Sequence, residues 1–299
     1  MTRIVVAGNV SCDRLLLVDA LPKPNCDVVV RRTRLLDGGA AANVAAAIAA
    51  NGGEVALASA VGRDLWGRRL VRNLRATGVH TRFCVRSNRP TTEFVVAMAS
   101  NGDRTFYVDL AGASFSYDAS PVYEQLGATD AIAFVGCRFD TVRKHAETMA
   151  RRGIRLYAAL GFWIASGELS NVRPQFLELL HGCFLNNAEW LALPRTWRDR
   201  LRDPGYLSDD RFVVVTNGAA STSAFTAAGE MIARPVPTRR VINTLGCGDA
   251  FMGAFLAGTV NGHSVARCVS RGHTFARRIA ARAEERLPPS IARLPTRQI

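Results

Sequence analysis

At 299 residues and 48% hydrophobic content, the chain is long enough to bury a substantial core and carries no signature of disorder. Its apolar stretches are short or interrupted by Gly and Arg, and Met1 to Gly8 patterns as a strand, so neither a membrane span nor a secretory leader is expected and the protein is read as cytoplasmic. The net charge of +13 comes from arginines scattered without a basic tract or base-stacking motif, which argues against specific nucleic-acid binding and for attraction of polyanions such as nucleotides.

In chain order, hydrophobic period and punctuation predict a strand at Ile4–Ala7, an alanine-rich helix over Ala40–Ala50 stopped by Asn51-Gly52-Gly53, a strand at Val55–Ala60 and an amphipathic helix over Leu65–Thr77. Further on come a strand at Ala131–Val135, a helix over Thr141–Arg152, a strand at Arg155–Ala159 and a helix over Gln175–His181. Strands at Cys183–Leu185 and Phe212–Thr216 follow, then an apolar helical run from Phe251 to Leu256. Buried β runs alternating with helices call for a mostly parallel sheet covered on both faces, and one α/β domain over 1–299 is expected. Two stretches, 14–36 and 91–110, break the rhythm with β-branched segments such as Leu15–Val18, Val28–Val30, Phe94–Val96 and Thr105–Val108, the second turning at Asn101-Gly102-Asp103. Either they form a small sheet that covers a site at the strand ends, or they extend an edge of the main sheet. An exposed face on such a small sheet would also suit pairing of two subunits, so a homodimer through it is expected. The seven cysteines (Cys12, Cys26, Cys84, Cys137, Cys183, Cys247, Cys268) are odd in number and lack Cys-x-x-Cys spacing, so neither a disulfide framework nor a zinc site is indicated.

The segment Asn243-Thr244-Leu245-Gly246-Cys247-Gly248-Asp249 sets an acid between a glycine-rich turn and a helical run. Glycines let the turn aim N–H groups at one point, and a helix start adds donors and the positive end of its dipole, which suits a phosphate. Asp249 would take a proton from an incoming hydroxyl there, although an acid in a first turn is favourable for the dipole alone. Gly38-Gly39-x-x-x-Asn43 offers flexible backbone and an amide able to donate and accept toward a diol, and Asp13 follows the first strand as a bidentate acceptor. The plainer readings are a buried, backbone-satisfied amide for Asn43 and a turn cap for Asp13.

The order Gly8…Asp13, Gly38-Gly39-x-x-x-Asn43, Val61-Gly62-x-Asp64-x-x-Gly67, Asn186-x-x-Glu189, Thr216-x-Gly218 and Gly246-x-Gly248-Asp249 resembles the ribokinase-like (PfkB) carbohydrate kinases along nearly the whole chain. The resemblance implies a three-layer α/β fold with a mostly parallel central sheet and a small β-sheet lid, ATP as co-substrate and Mg²⁺. It assigns Asp249 as catalytic base and the N–H groups of Gly246, Cys247 and Gly248 as the anion hole. Ser11, Asp13, Gly38, Gly39 and Asn43 fall on sugar-contacting positions, Thr216 and Gly218 on the segment that meets ATP. Asn186 and Glu189 fall on the motif that organises magnesium and phosphate, Glu189 through water, which suits an ion that keeps its own hydration.

Three departures narrow the reading. Asn243 stands where the family usually has Asp beside a monovalent cation, which argues against potassium activation. Cys247 replaces a usual Ala. Ala40 and Ala41 replace the Lys-Gly of ribokinase itself, and Arg277-Arg278-Ile279-Ala280-Ala281-Arg282 puts charge where small residues are usual, so ribose is not favoured. The expected reaction moves the γ-phosphate of ATP to a hydroxymethyl group of a sugar or sugar-like alcohol. The alternatives are a nucleoside kinase, with Phe94, Phe106 or Phe139 forming a slot for the base, and a non-catalytic sugar- or nucleotide-binding regulator.

Overall fold

A computed structural model describes residues 3–170, 172–207, 210–237 and 244–281; Asn243 and Arg282, on which two of the expectations above rest, lie outside them. The chain opens with β1 (Ile4–Gly8), β2 (Ser11–Val18), β3 (Val30–Gly38) and α1 (Ala40–Ala50), then runs through β4 (Val55–Gly62), α2 (Leu65–Ala76) and β5 (Cys84–Ser87). Next come β6 (Thr92–Ala99), β7 (Arg104–Val108), α3 (Ser120–Glu124), β8 (Ala131–Val135), α4 (Phe139–Arg151), β9 (Arg155–Ala159) and α5 (Gly161–Ala165). The rest comprises β10 (Gly182–Asn186), α6 (Asn187–Ala192), α7 (Arg195–Arg202), β11 (Phe212–Asn217), the hairpin β12 (Ser221–Thr226) and β13 (Gly229–Ala233), α8 (Cys247–Val260) and α9 (Val265–Ala280).

The large sheet has the order β13-β12-β11-β10-β9-β8-β1-β4-β5, parallel from β11 to β5 with the β12–β13 hairpin added antiparallel at one edge. Its central strands are apolar throughout because both faces are covered. Val5 and Ala7 of β1 pack with Phe134, Phe139 and Trp163 on one side, whereas Ile4 and Val6 pack with α1, Phe251 and Phe255 on the other. Among the described residues no helix is long and apolar enough to cross a membrane.

The alanine content of α1 has a structural purpose. A Cβ added at Gly253 of α8 would lie 2.4 Å from Ala47 Cβ and 2.6 Å from Val44 O, so the two helices approach as closely as their backbones allow. That contact fixes the beginnings of both helices side by side, and both beginnings belong to the site.

The two irregular stretches form a separate four-stranded sheet, β3-β2-β6-β7, and do not extend an edge of the large one. Register places Asp13 beside Phe94 and Phe94 beside Val108, and in the same way Leu17 beside Met98 and Met98 beside Arg104. One face of this sheet therefore presents Asp13, Phe94, Phe106, Val108 and Arg104 together.

Two sequence expectations are corrected here. The β-branched run Val28–Val30 contributes only its last residue to a strand, which continues through the arginine-rich Arg31–Gly38, because pairing with β2 decides the strand and local propensity does not. Gln175–His181 is not an α-helix; a 3-10 helix spans Pro174–Leu179, and the backbone of His181 already bonds to Leu156 and Phe212 as β10 begins.

Candidate active site

A cavity of about 410 Å³ lies at the carboxyl ends of β1, β8, β9, β10 and β11, bounded across the opening by the starts of α1 and α8 and by one face of the small sheet. Open parallel sheets characteristically bind ligands there. Of the residues singled out in the sequence, Asp13, Gly39, Asn43, Asn186, Glu189, Thr216, Gly246, Gly248 and Asp249 line it. Ser11, Gly38, Cys247 and Gly218 do not.

Asp249 sits in the first turn of α8, and Asn43 Nδ2 donates to its Oδ2 at 2.8 Å. Gly246 caps the helix at φ 76°, a left-handed conformation that costs a glycine little and a larger residue more. Gly246 O accepts from Ala250 N at 2.9 Å, whereas Cys247 N points to Thr244 O at 3.3 Å inside the turn. The Cys247 thiol faces Ala276 O at 3.7 Å, and burial pushes it up to about 11, with Arg104 acting in the opposite sense, so it stays protonated and unreactive near neutrality.

At the other end of the cavity Asp13 is buried, and Ser11 Oγ donates to its Oδ1 at 2.5 Å. Ser11 is fully buried behind Asp13 and does not line the cavity. Gly38 closes β3 under cover, and Gly39 brings the chain against β1: its φ is 99°, and a Cβ would come within 2.4 Å of Asn9 O. Asn9, which sequence reasoning passed over, lines the cavity and accepts from Ala41 N at 3.3 Å through Oδ1, tying the start of α1 to the end of β1.

Asn186 and Glu189 form a reciprocal capping box on α6: Asn186 Oδ1 accepts from Glu189 N at 2.9 Å, and Glu189 Oε2 accepts from Asn186 N at 2.8 Å. Burial raises the Glu189 carboxyl above its ordinary range, opposed by the Asn186 N–H bond. Gly161, a second residue missed in the sequence, is seated against it, since a Cβ there would lie 2.2 Å from Glu189 Oε1. A partly desolvated carboxylate with raised affinity for positive charge fits a hydrated Mg²⁺. Among the described residues no group of three or more His, Cys, Asp or Glu gathers that could cage a metal. Thr216 Oγ1 donates to Leu185 O at 3.4 Å beside this site, while Gly218 lies in the turn beyond β11 with open space around it.

The remaining wall is aromatic. Phe94 and Phe106 line the cavity together with Phe162, Phe184 and Phe251, and Phe115 links Phe94 to Phe162 in a stack with centroid spacings of 6.1 and 5.2 Å. Phe139 is elsewhere, buried in the core against Trp163 and Phe176.

The model of the pfkB family carbohydrate kinases matches residues 1–289. The chain is 25% identical over 291 residues to the ATP-dependent ribose-1-phosphate kinase of Halopiger xanaduensis, covering 97% of this chain and 96% of that protein. It is 27% identical over 236 residues to the aminoimidazole riboside kinase of Salmonella typhimurium, covering 73% and 72%. Among solved structures, the ribokinase of Thermotoga maritima superposes with a TM-score of 0.79 at 17% identity over 98% of each chain. A Burkholderia thailandensis nucleoside kinase in complex with inosine gives 0.78 at 18% identity over 94% of this chain and 91% of that one. At those identities the structural matches establish the ribokinase fold. With the family model spanning nearly the whole sequence, the chain belongs to the pfkB carbohydrate kinases, ATP-dependent phosphotransferases acting on a hydroxyl of a sugar.

Proposed function

We propose that the protein transfers the γ-phosphate of ATP to a hydroxymethyl group of a sugar or sugar-like acceptor, with Asp249 as the base. The observation that carries this is the position of Asp249: first turn of α8, held by Asn43, in one cavity with Asp13 and Glu189. Asp249 orients the acceptor hydroxyl and takes its proton as the new O–P bond forms and ADP leaves. N–H groups around Gly246 and Gly248, at the positive end of α8, hold the charge that develops on the phosphoryl oxygens. Asp13, steadied by Ser11, and Asn43 bind hydroxyls that distinguish one end of the acceptor from the other.

Glu189 and Asn186 would hold Mg²⁺ through water. When bound, the ion neutralises charge on the β- and γ-phosphates. Thr216 flanks the nucleotide side. An aspartate is a weak base toward an alcohol, so alignment and charge stabilisation carry most of the acceleration.

The small sheet serves as the lid of this site, excluding water when acceptor and nucleotide are bound. Hydrogen exchange in 14–36 and 91–110 should slow with both ligands; unchanged exchange removes the lid. Its exposed apolar residues, including Val30 and Tyr107, suit a homodimer, which the sedimentation mass in solution tests: a monomer at all concentrations removes that assignment.

A nucleoside acceptor is the second reading, favoured by Phe94 and Phe106 in the cavity wall. ADP formation from Mg-ATP across free sugars, sugar acids, sugar phosphates and nucleosides separates the two. Turnover with sugars or sugar phosphates supports the first, turnover confined to nucleosides the second, and saturable binding without ADP formation contradicts both.

A further inference from the structure

None of Gly62, Asp64 and Gly67, the motif between β4 and α2, lines the cavity. Asp64 is the N-cap of α2, its Oδ1 accepting from Gly67 N at 2.8 Å. A cap needs no more than that one acceptor. The same carboxylate also takes both polar groups of Thr91, the hydroxyl on Oδ1 at 2.7 Å and the N–H on Oδ2 at 2.8 Å. Thr91 Oγ1 in turn accepts from Gly62 N at 3.0 Å. The two glycines leave room for this arrangement: a Cβ at Gly62 would lie 2.5 Å from Thr91 N, and one at Gly67 would lie 3.0 Å from Thr91 Oγ1. Burial opposes the charge on Asp64, yet the bonds from Thr91 and Gly67 lower its carboxyl below the ordinary range.

Thr91 is the residue before β6, where the chain enters the small sheet. Beside it, buried Thr92 Oγ1 accepts from Ser114 N at 3.1 Å and shares a hydrogen bond of 2.7 Å with Ser114 Oγ, in the segment that follows β7. Pro90 O accepts from Ala113 N at 2.9 Å, so the incoming and outgoing segments are also tied to each other. Further along β6, Phe94 stands in the cavity wall, paired in register with Asp13. Play at Thr91 is therefore passed along the strand to a ring that faces whatever the cavity holds.

We propose that Asp64 is a positioning residue: clamped to Thr91, it fixes the pivot from which β6 leaves the rest of the protein, and so sets where the small sheet places Phe94 against the acceptor. This rests on the reading above that the small sheet is the lid. A serine hydroxyl could cap α2 but could not also take both donors of Thr91, so it is the pivot, and not the helix, that calls for a carboxylate. With the pivot loose, the sheet still closes, but over a wider spread of positions. The acceptor hydroxyl is then aligned in fewer of the closed molecules.

The test compares the full-length wild type with Asp64→Ser, Thr91→Val, Thr91→Ser and the double variant Asp64→Ser/Thr91→Val. Asp64→Ser keeps an N-cap, and Thr91→Val leaves the cap untouched. Each of these two should lower kcat about 10- to 100-fold, the range for a small misalignment of reacting groups, with KM for ATP moving by no more than about 3-fold. Thr91→Ser should restore wild-type kcat. The double variant should be no slower than the slower single one, because both remove the same clamp. With acceptor and a non-hydrolysable ATP analogue bound, protection from hydrogen exchange in 91–110 should be about 10-fold weaker in Asp64→Ser than in wild type, while 65–76 exchanges alike in both. Where Asp64→Ser unfolds, Thr91→Val against Thr91→Ser decides by itself. Wild-type kcat in Thr91→Val and in folded Asp64→Ser, or losses that multiply in the double variant, would overturn the proposal and leave the lid and kinase readings standing. Exchange in wild-type 91–110 that the ligands leave unchanged would remove the lid and the proposal with it. Absence of ADP formation by the wild type with any acceptor would overturn the kinase reading and the proposal together.

Discussion

Asn43 Nδ2 lies 2.8 Å from Asp249 Oδ2, joining the first turns of two helices that are 206 residues apart in sequence. The bond exists because α1 and α8 are small-sided where they touch, Gly253 resting on Val44 and Ala47. It leaves Asp249 with a defined rotamer before any substrate arrives, which is the kind of preorganisation that lowers a barrier without cost at the moment of reaction.

Asn43→Ala should therefore reduce kcat by about 10- to 100-fold while changing stability by only about 1 kcal/mol, the usual worth of one hydrogen bond. Steady-state kinetics alongside urea unfolding checks both halves. A large stability loss with normal kcat would make the bond structural.

Gly161→Ala should act on the metal side. Its backbone is in an ordinary conformation and the clash is with the end of a movable carboxylate, so the protein should fold while Glu189 is displaced. Apparent Mg²⁺ affinity should weaken by about 10-fold, the lower end for disturbing a residue that orients a metal site. Mg²⁺ titration of ADP formation measures it, and an unchanged affinity would detach Glu189 from the ion.

The raised carboxyl of Glu189 gives a pH signature. The folded protein holds that proton more tightly than the unfolded chain, so without metal this group's stabilising contribution is present at low pH and is lost as pH rises through its raised pKa. Mg²⁺ favours the ionised form and should reverse the penalty. Thermal stabilisation by Mg²⁺ should thus be greater at pH 8 than at pH 5, and Glu189→Gln should flatten that difference. Equal stabilisation of wild type and variant at both pH values would contradict the assignment.

His181 gives the opposite sign. It accepts Leu156 N–H on Nδ1 at 3.2 Å at the entry to β10, and burial, followed by the charges of Arg211 and Arg155, lowers it to about 4. The unfolded chain takes up this proton near pH 6.5 and the folded one only near pH 4, so stability is lost as pH falls through that window. Allowing for partial solvent screening, the loss should be about 2 kcal/mol. His181→Asn should remove most of that slope in urea unfolding between pH 7 and pH 4.

What the sequence made legible was what is local. Ala40–Ala50 reads as a helix because glycines bound it, and Ala131–Val135 and Arg155–Ala159 read as strands because they are short apolar runs between turns; the structure keeps all three at those limits. Val30–Gly38 was hidden because an exposed, arginine-rich strand has no apolar period and is defined by pairing with β2. The hairpin Ser221–Ala233 was hidden likewise, its strands being short and partly exposed at a sheet edge. In the site, contiguous motifs identified Asp13, Asn43, Glu189 and Asp249 as candidates. Contacts between distant segments were out of reach: Gly161 under Glu189 and Arg104 on Thr244 depend on the packing of parts of the chain far apart in sequence. Phe139 looked equivalent to Phe94 and Phe106 in sequence, and only the fold separates a core ring from a cavity wall.

The central claim is that Asp249 accepts the proton of the hydroxyl being phosphorylated. Its most direct test is ADP formation by Asp249→Asn at saturating Mg-ATP and acceptor, compared with wild type. The account predicts a fall in kcat of about 10²- to 10⁴-fold with little change in KM, since the amide preserves shape and removes only the base. Undiminished turnover in Asp249→Asn would contradict it.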